Sequence, residues 1–279
     1  QGIDGRGISV GIVDFPLLVG HKEYADRLIH YEEIPESNYP AAMHGAAVAS
    51  LAVGKTCGVA PAAKLYFIAA ELTPDTSEYN ETFVYEAKAI HRLLDINLQL
   101  PEKEKIRVIS ISNGWDPGYP GYDEVIAAVQ RAKQEGVFVV SASLYGDYGY
   151  MLWGARRTPM ANPDDVSHYE ISTYYKDRIS RWTPEALEEC IFVLQDDRTY
   201  ASWLGEQDYA YGQYGGQSWG IPYMAGLYAL CCQVNSDVTP DSFWKAVQET
   251  AHRTEEVIFG QKIPLTIVNP PALLEAMAK

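Results

Sequence analysis

The sequence predicts an α/β fold in which a mostly parallel central sheet is covered by helices on both faces, and three observations carry that expectation. Short, β-branched and uniformly apolar segments recur at Ile8 to Val13, Lys64 to Ala70, Val108 to Ser112 and Val137 to Ser141, as expected of strands buried on both faces. Between them lie stretches with helical periodicity, the clearest being Glu81 to Leu98 with Phe83, Ala87, Ile90, Leu94 and Leu98 on one side. Turn residues punctuate the alternation. Gly58-Val59-Ala60-Pro61 precedes the second strand, Asn113-Gly114 follows the third, and Gly136 occupies the C′ position of a helix over Tyr122 to Glu135. Strands alternating with helices in this way build βαβ units.

Each element has its own justification. The first strand ends at Asp14, an acid at the tip of a buried segment. His44 to Val53 reads as a helix of small residues, including Gly45, Ala46, Ala47 and Ala49, which permit close approach to other backbone. Residues 142–168, rich in Gly, Tyr and Pro, read mostly as loop. Tyr169 to Tyr174 and Cys190 to Leu194 read as strands, and Ser218 to Gln233 and Pro240 to Ala251 as helices, with Pro222 in a first turn where its missing N–H costs little. No internal repeat, low-complexity tract or linker interrupts the chain, so residues 1–279 are expected to form a single domain. Open parallel sheets bind ligands beyond the carboxyl ends of their strands, which favours Asp14, Asn113 and residues 142–149 as site positions.

Composition narrows the function. With 22 Lys plus Arg against 37 Asp plus Glu, the formal net charge is −15. Affinity for phosphate backbones rests on cationic neutralisation, so no nucleic-acid partner is expected. No apolar run approaches the roughly 20 residues that cross a bilayer. Gln1 to Val13 contains no apolar core preceded by basic residues, so no signal peptide is expected in the given chain, which reads as soluble with its compartment undefined. The cysteines, Cys57, Cys190, Cys231 and Cys232, form no CxxC pair and read as core thiols. His21, His30, His91, His168 and His252 lack metal-ligand spacing, so no metal site is expected.

Three local patterns could carry chemistry: Val10-Gly11-Ile12-Val13-Asp14, His44-Gly45-Ala46-Ala47-Val48-Ala49, and Gly216-Gln217-Ser218-Trp219-Gly220-Ile221-Pro222. Taken singly they are a turn acid, a helix-capping His and an N-cap Ser. Together, in the chain order Asp–His–Ser, they resemble the subtilisin-like serine proteases, or subtilases. Four further segments strengthen the resemblance: Gly58 to Tyr66, Val108 to Gly114, Ala127 to Ala142, and Ile267 to Leu273. Residues 145–210 match weakly.

The resemblance implies a three-layer subtilisin-like fold and a serine endopeptidase of narrow specificity, suited to peptide or precursor maturation. Ser218 would be the nucleophile, His44 the general base, and Asp14 the group that holds the imidazole tautomer. Ser112, Asn113, Gly114, Ala142, Ser143 and Leu144 would line a cleft in which a peptide or protein substrate lies extended. The alternative is a pseudoprotease that keeps the fold and binds a peptide or protein partner without turning it over. Several positions depart from the family pattern. Leu144 and Tyr145 stand where the family has Gly and its oxyanion Asn, so Tyr145 becomes the candidate oxyanion donor and Leu144 adds bulk beside the specificity pocket. Trp219 replaces an oxidation-prone Met beside the nucleophile. Only Gly54-Lys55-Thr56-Cys57 occupies the place of the family's calcium loop. That is too short for a site of six to eight oxygens, so no strong calcium site and no cofactor are expected. The chain starts close to its first strand, which leaves room for a pro-segment or partner chain at the N-terminal edge.

Overall fold

Residues 2–70, 82–163, 165–179 and 182–278 are described by a computed structural model. The first half of the chain builds one parallel sheet. Its strands are β1 (Ser9–Asp14), β2 (Leu28–Glu33), β3 (Lys64–Ala69), β4 (Ile106–Ile111) and β5 (Phe138–Ser141), in the order β2-β3-β1-β4-β5. Three helices connect them: α1 (Met43–Val53), α2 (Thr82–Gln99) and α3 (Tyr122–Gln134). The α2 start expected at Glu81 lies outside the described residues. The register sets Asp14 opposite Ala69 and Ile111 opposite Ser141, so the carboxyl ends of the central strands share one rim.

Side-chain alternation divides this sheet between two cores. Ile12, Phe67, Val108 and Val140 face α1 and the C-terminal helices, whereas Val13, Ile68, Ile109 and Val139 face α2 and α3. Both faces are therefore covered, which is why these strands read as unbroken apolar runs.

The second half is more varied. It contains α4 (Leu144–Tyr148), β6 (Leu152–Arg157), β7 (Tyr169–Ile171), α5 (Thr173–Lys176), α6 (Pro184–Glu188), β8 (Ile191–Leu194), β9 (Arg198–Ala201) and β10 (Tyr209–Gly212). There follow α7 (Gln217–Val234), α8 (Pro240–Thr250), β11 (His252–Ile258), β12 (Gln261–Ile267) and α9 (Pro270–Met277). A mixed sheet runs β11-β12-β8-β6-β7, and β9 pairs with β10 alone. The apolar core around α7 reaches from β1 and β3 to Leu152 of β6 and Val193 of β8, joining the two sheets.

Several expectations change here. Residues 142–168, expected to be mostly loop, contain α4 and β6; the four leading residues of β6, Leu152 to Ala155, are buried as a strand should be. The strand expected over Tyr169 to Tyr174 stops at Ile171, because Ser172 turns the chain into α5. Pro222 is the sixth residue of α7, not a first-turn residue. The hairpins β9–β10 and β11–β12 and the edge strand β2 were not expected from the sequence. Among the described residues no helix is long and apolar enough to cross a membrane.

Candidate active site

Gly45 determines how His44 meets Asp14. Asp14 ends β1 fully buried, and the chain leaving it passes directly over the first turn of α1. A Cβ at Gly45 would stand 2.2 Å from the Phe15 carbonyl oxygen, so only glycine allows that approach. His44 Nδ1 then donates to Asp14 Oδ1 at 2.7 Å, and the Phe15 N–H donates to the same oxygen at 2.9 Å. Burial pulls the His44 pKa down, but the Asp14 charge and this hydrogen bond outweigh it and the net direction is upward. The His44 ring is braced edge-on by Phe15, with centroids 5.8 Å apart, and by Trp219 at 5.5 Å. Trp219 is itself buried against Ala47, Leu51 and Tyr200.

Ser218 lies in the first turn of α7, one residue before Trp219. Gly216 caps α7 with φ +72°, a conformation that glycine adopts without strain and that turns the incoming chain into the helix. Just before it, the Gly215 N–H donates to Oδ1 of the buried Asp196 at 2.9 Å, and the Thr173 N–H donates to Oδ2 at 3.1 Å. Pro222 then removes the N–H that would have bonded the Ser218 carbonyl four residues earlier. Ser112 fills the gap, its hydroxyl donating to the Ser218 carbonyl oxygen at 2.9 Å. In return, Ser218 Oγ donates to the Ser112 carbonyl oxygen at 3.3 Å. Among the described residues no hydrogen bond joins Ser218 Oγ to His44. Such contacts are often long before substrate is bound.

The segments after β4 and β5 are tied together. The Ala142 N–H donates to the Asn113 carbonyl at 2.9 Å, and the Trp115 N–H donates to Ser143 Oγ at 2.8 Å. The Asn113 side chain turns toward α2, donating to Glu86 at 2.8 Å. Gly114 packs against Ala142 and Ser143. Leu144 is buried, whereas Tyr145 is 64% exposed on the second residue of α4. Leu144, Tyr145, Ala142 and Gln217 line a 220 Å³ cavity floored by Leu152 and Trp153. A neighbouring 370 Å³ cavity shares Trp153, Trp182 and Gln217 and adds Gly216, Tyr174, Tyr175 and Arg178. Both open beside the residue preceding Ser218, and their walls are largely aromatic.

The loop 54–57 wraps a carboxylate. Glu23 accepts from the Thr56 N–H at 2.8 Å, from Thr56 Oγ1 at 2.7 Å, from the Cys57 thiol at 3.4 Å and from the Tyr209 hydroxyl.

Sequence reasoning missed Asp196 and Glu86, and each left a signal. Asp196 follows a buried apolar strand just as Asp14 does. Glu86 is a charged residue on the apolar side of α2, three residues after Phe83 and four before Ile90.

A family model described as the subtilase family matches residues 5–158. Among solved structures, the PatG macrocyclase in complex with peptide superposes with a TM-score of 0.68 at 14% identity, over 99% of this chain and 93% of that one. The protease domain of PatA, in a form with one serine changed to alanine, gives 0.65 at 16% identity, over 99% and 98%. The prenylagaramide maturation protease PagA gives 0.64 at 14% identity, over 98% and 94%. At such identities the likeness to these structures is one of fold.

Proposed function

The chain belongs to the subtilase family of serine proteases, and from that premise we propose that it is a serine endopeptidase of narrow specificity acting through an acyl-enzyme. The observation that carries this reading is the 2.7 Å hydrogen bond between His44 and the buried Asp14, with Ser218 in the first turn of α7 next to Trp219, whose ring lies against His44. Ser218 Oγ attacks the scissile carbonyl, and His44 Nε2 takes its proton and later returns it to the leaving amine. Asp14 fixes Nδ1–H and stabilises the imidazolium. The first N–H groups of α7 face the developing oxyanion. Tyr145 supplies a further donor from α4 through its hydroxyl.

Ser112, Asn113, Gly114, Ala142, Ser143 and Leu144 border the substrate channel in this reading. The aromatic walls of the two cavities favour peptides with an apolar or aromatic side chain at the cleavage site. The maturation role rests on the fold shared with PagA, a maturation protease. A second reading, peptide binding without turnover, is favoured by the Ser218 hydroxyl donating to the Ser112 carbonyl rather than to His44.

Intact-mass analysis after incubation with a fluorophosphonate separates the two. A single adduct on the parent chain that is absent from Ser218→Ala is expected, and no adduct on either would leave the binding reading in its place. In a peptide-cleavage assay, Tyr145→Phe is expected to lower kcat by about 10²–10³-fold, the usual loss on removing one oxyanion donor. An unchanged kcat would remove Tyr145 from the machinery.

A further inference from the structure

A 540 Å³ cavity lies between the end of β6, the start of β9, the turn at residues 56–58 and the start of α9, lined by none of the residues assigned to catalysis above. Its volume is that of an ordinary small-molecule site. Two arginines line it, Arg157 at the end of β6 and Arg198 at the start of β9. Among the described residues neither guanidinium meets a carboxylate at ion-pair distance. Arg156, one residue earlier, pairs with Glu170 at 3.5 Å and with Asp197 at 3.3 Å. Asp197, the carboxylate among the described lining residues, is further engaged by the Tyr211 hydroxyl at 2.7 Å.

Arg198 is poorly compensated. Its Nη1 reaches the Leu194 carbonyl and its Nη2 the Cys57 carbonyl, each only at 3.4 Å, and the Tyr223 ring lies 5.6 Å away. Burial pushes its pKa below the ordinary arginine value, the direction expected when a charge loses hydration. Removing a charge from water is costly unless a partner restores what hydration supplied, and planar guanidinium groups match a carboxylate in a two-point geometry. Thr56 also lines the cavity, and Val166, Tyr223 and Pro271 give it an apolar and aromatic side.

We propose that this cavity binds an organic carboxylate, its charged end held by Arg157 and Arg198 and its apolar body lying against Tyr223 and Pro271. A peptide C-terminus and a free aromatic acid share this chemistry.

Calorimetric titration of the full chain carrying Ser218→Ala, which leaves peptides intact, tests it with four probes: an N-acetylated tripeptide ending in phenylalanine as the free acid, the same peptide as the C-terminal amide, benzoate, and inorganic phosphate. Binding of the peptide acid, with at least tenfold loss on amidation and a similar loss in Arg157→Ala or Arg198→Gln, is the expected result. Tighter binding of the peptide acid than of benzoate identifies a peptide C-terminus as the occupant, and the reverse order identifies a free acid. Equal binding of acid and amide overturns the proposal, as does parent-like binding by an arginine variant, failure of both acids to bind at millimolar concentration, or phosphate binding as tightly as the acids. Arg157→Ala lies on a separate strand, so the test stands even if Arg198→Gln fails to fold.

Discussion

Asp14 Oδ1 serves two donors at once, the His44 ring and the Phe15 N–H, and that double duty fixes both the carboxylate and the imidazole. Asp14→Asn keeps the shape but offers an amide to Nδ1, which favours the wrong tautomer; kcat for peptide cleavage is expected to fall by about 10⁴-fold with the fold retained. The pH profile carries a sign. In the proposed mechanism His44 accepts a proton from Ser218 only when neutral, and its pKa is raised above the ordinary 6.5. Activity is therefore lost as pH falls through that raised value, and in Asp14→Asn the residual acid limb moves to lower pH because both upward causes are gone. A limb that stays in place would detach His44 from the observed ionisation. Ser112 is tested separately. Its hydroxyl serves the half-buried carbonyl that Pro222 leaves without a helical donor, so Ser112→Ala is expected to cost about 0.5–1.5 kcal/mol in a denaturant series, the usual net worth of one hydrogen bond.

Elements are held in place by similar local bargains, of which Glu23 makes the largest. The residue is buried, and burial alone would raise its pKa. The Thr56 N–H, the Tyr209 and Thr56 hydroxyls and the Cys57 thiol outweigh that and bring it down to about 2. One carboxylate thereby links the turn after α1 to β10. A depressed carboxylate pKa stabilises the fold above the unfolded value near 4.5, and that stability is lost as pH falls toward 2. Glu23→Gln is expected to lower the melting temperature clearly at pH 7 and much less at pH 2.5. Equal losses at both pH values would assign the effect to packing alone.

The same scale explains what could be read in advance. Strands β1, β3, β4 and β5 were legible because burial on both faces leaves them no choice but apolar residues. The edge strand β2, Leu28–Glu33, is only half-buried and carries His30, Glu32 and Glu33, so no apolar run marks it. β11 alternates half-buried with exposed positions, but its inward residues include His252, Thr254 and Glu256, which hide the period of two. Asp14, His44 and Ser218 were legible as residue types at strand and helix ends. That Asp196 holds the chain before Ser218, and Trp219 the His44 ring, depends on contacts between segments far apart in sequence.

Across the whole molecule the net charge of −15 acts on everything that approaches. At about 0.01 M salt the field reaches roughly 30 Å, and at 0.15 M about 8 Å. Peptides bearing Lys or Arg are expected to associate faster at low salt, so kcat/KM for a cationic substrate should fall as salt rises while that for a neutral analogue stays nearly level. Parallel salt dependences would place the effect in the protein rather than in the encounter. The core arrangement has another result. Helix α7 carries Ser218 in its half-buried first turn and then runs buried from Trp219 to Cys232 through the apolar mass that joins the two sheets. Its amide protons can exchange with solvent only when that mass comes apart. The seat of the proposed nucleophile therefore has no private melting event. Along a denaturant series, the count of titratable nucleophiles and the slowest deuterium uptake should report one and the same opening.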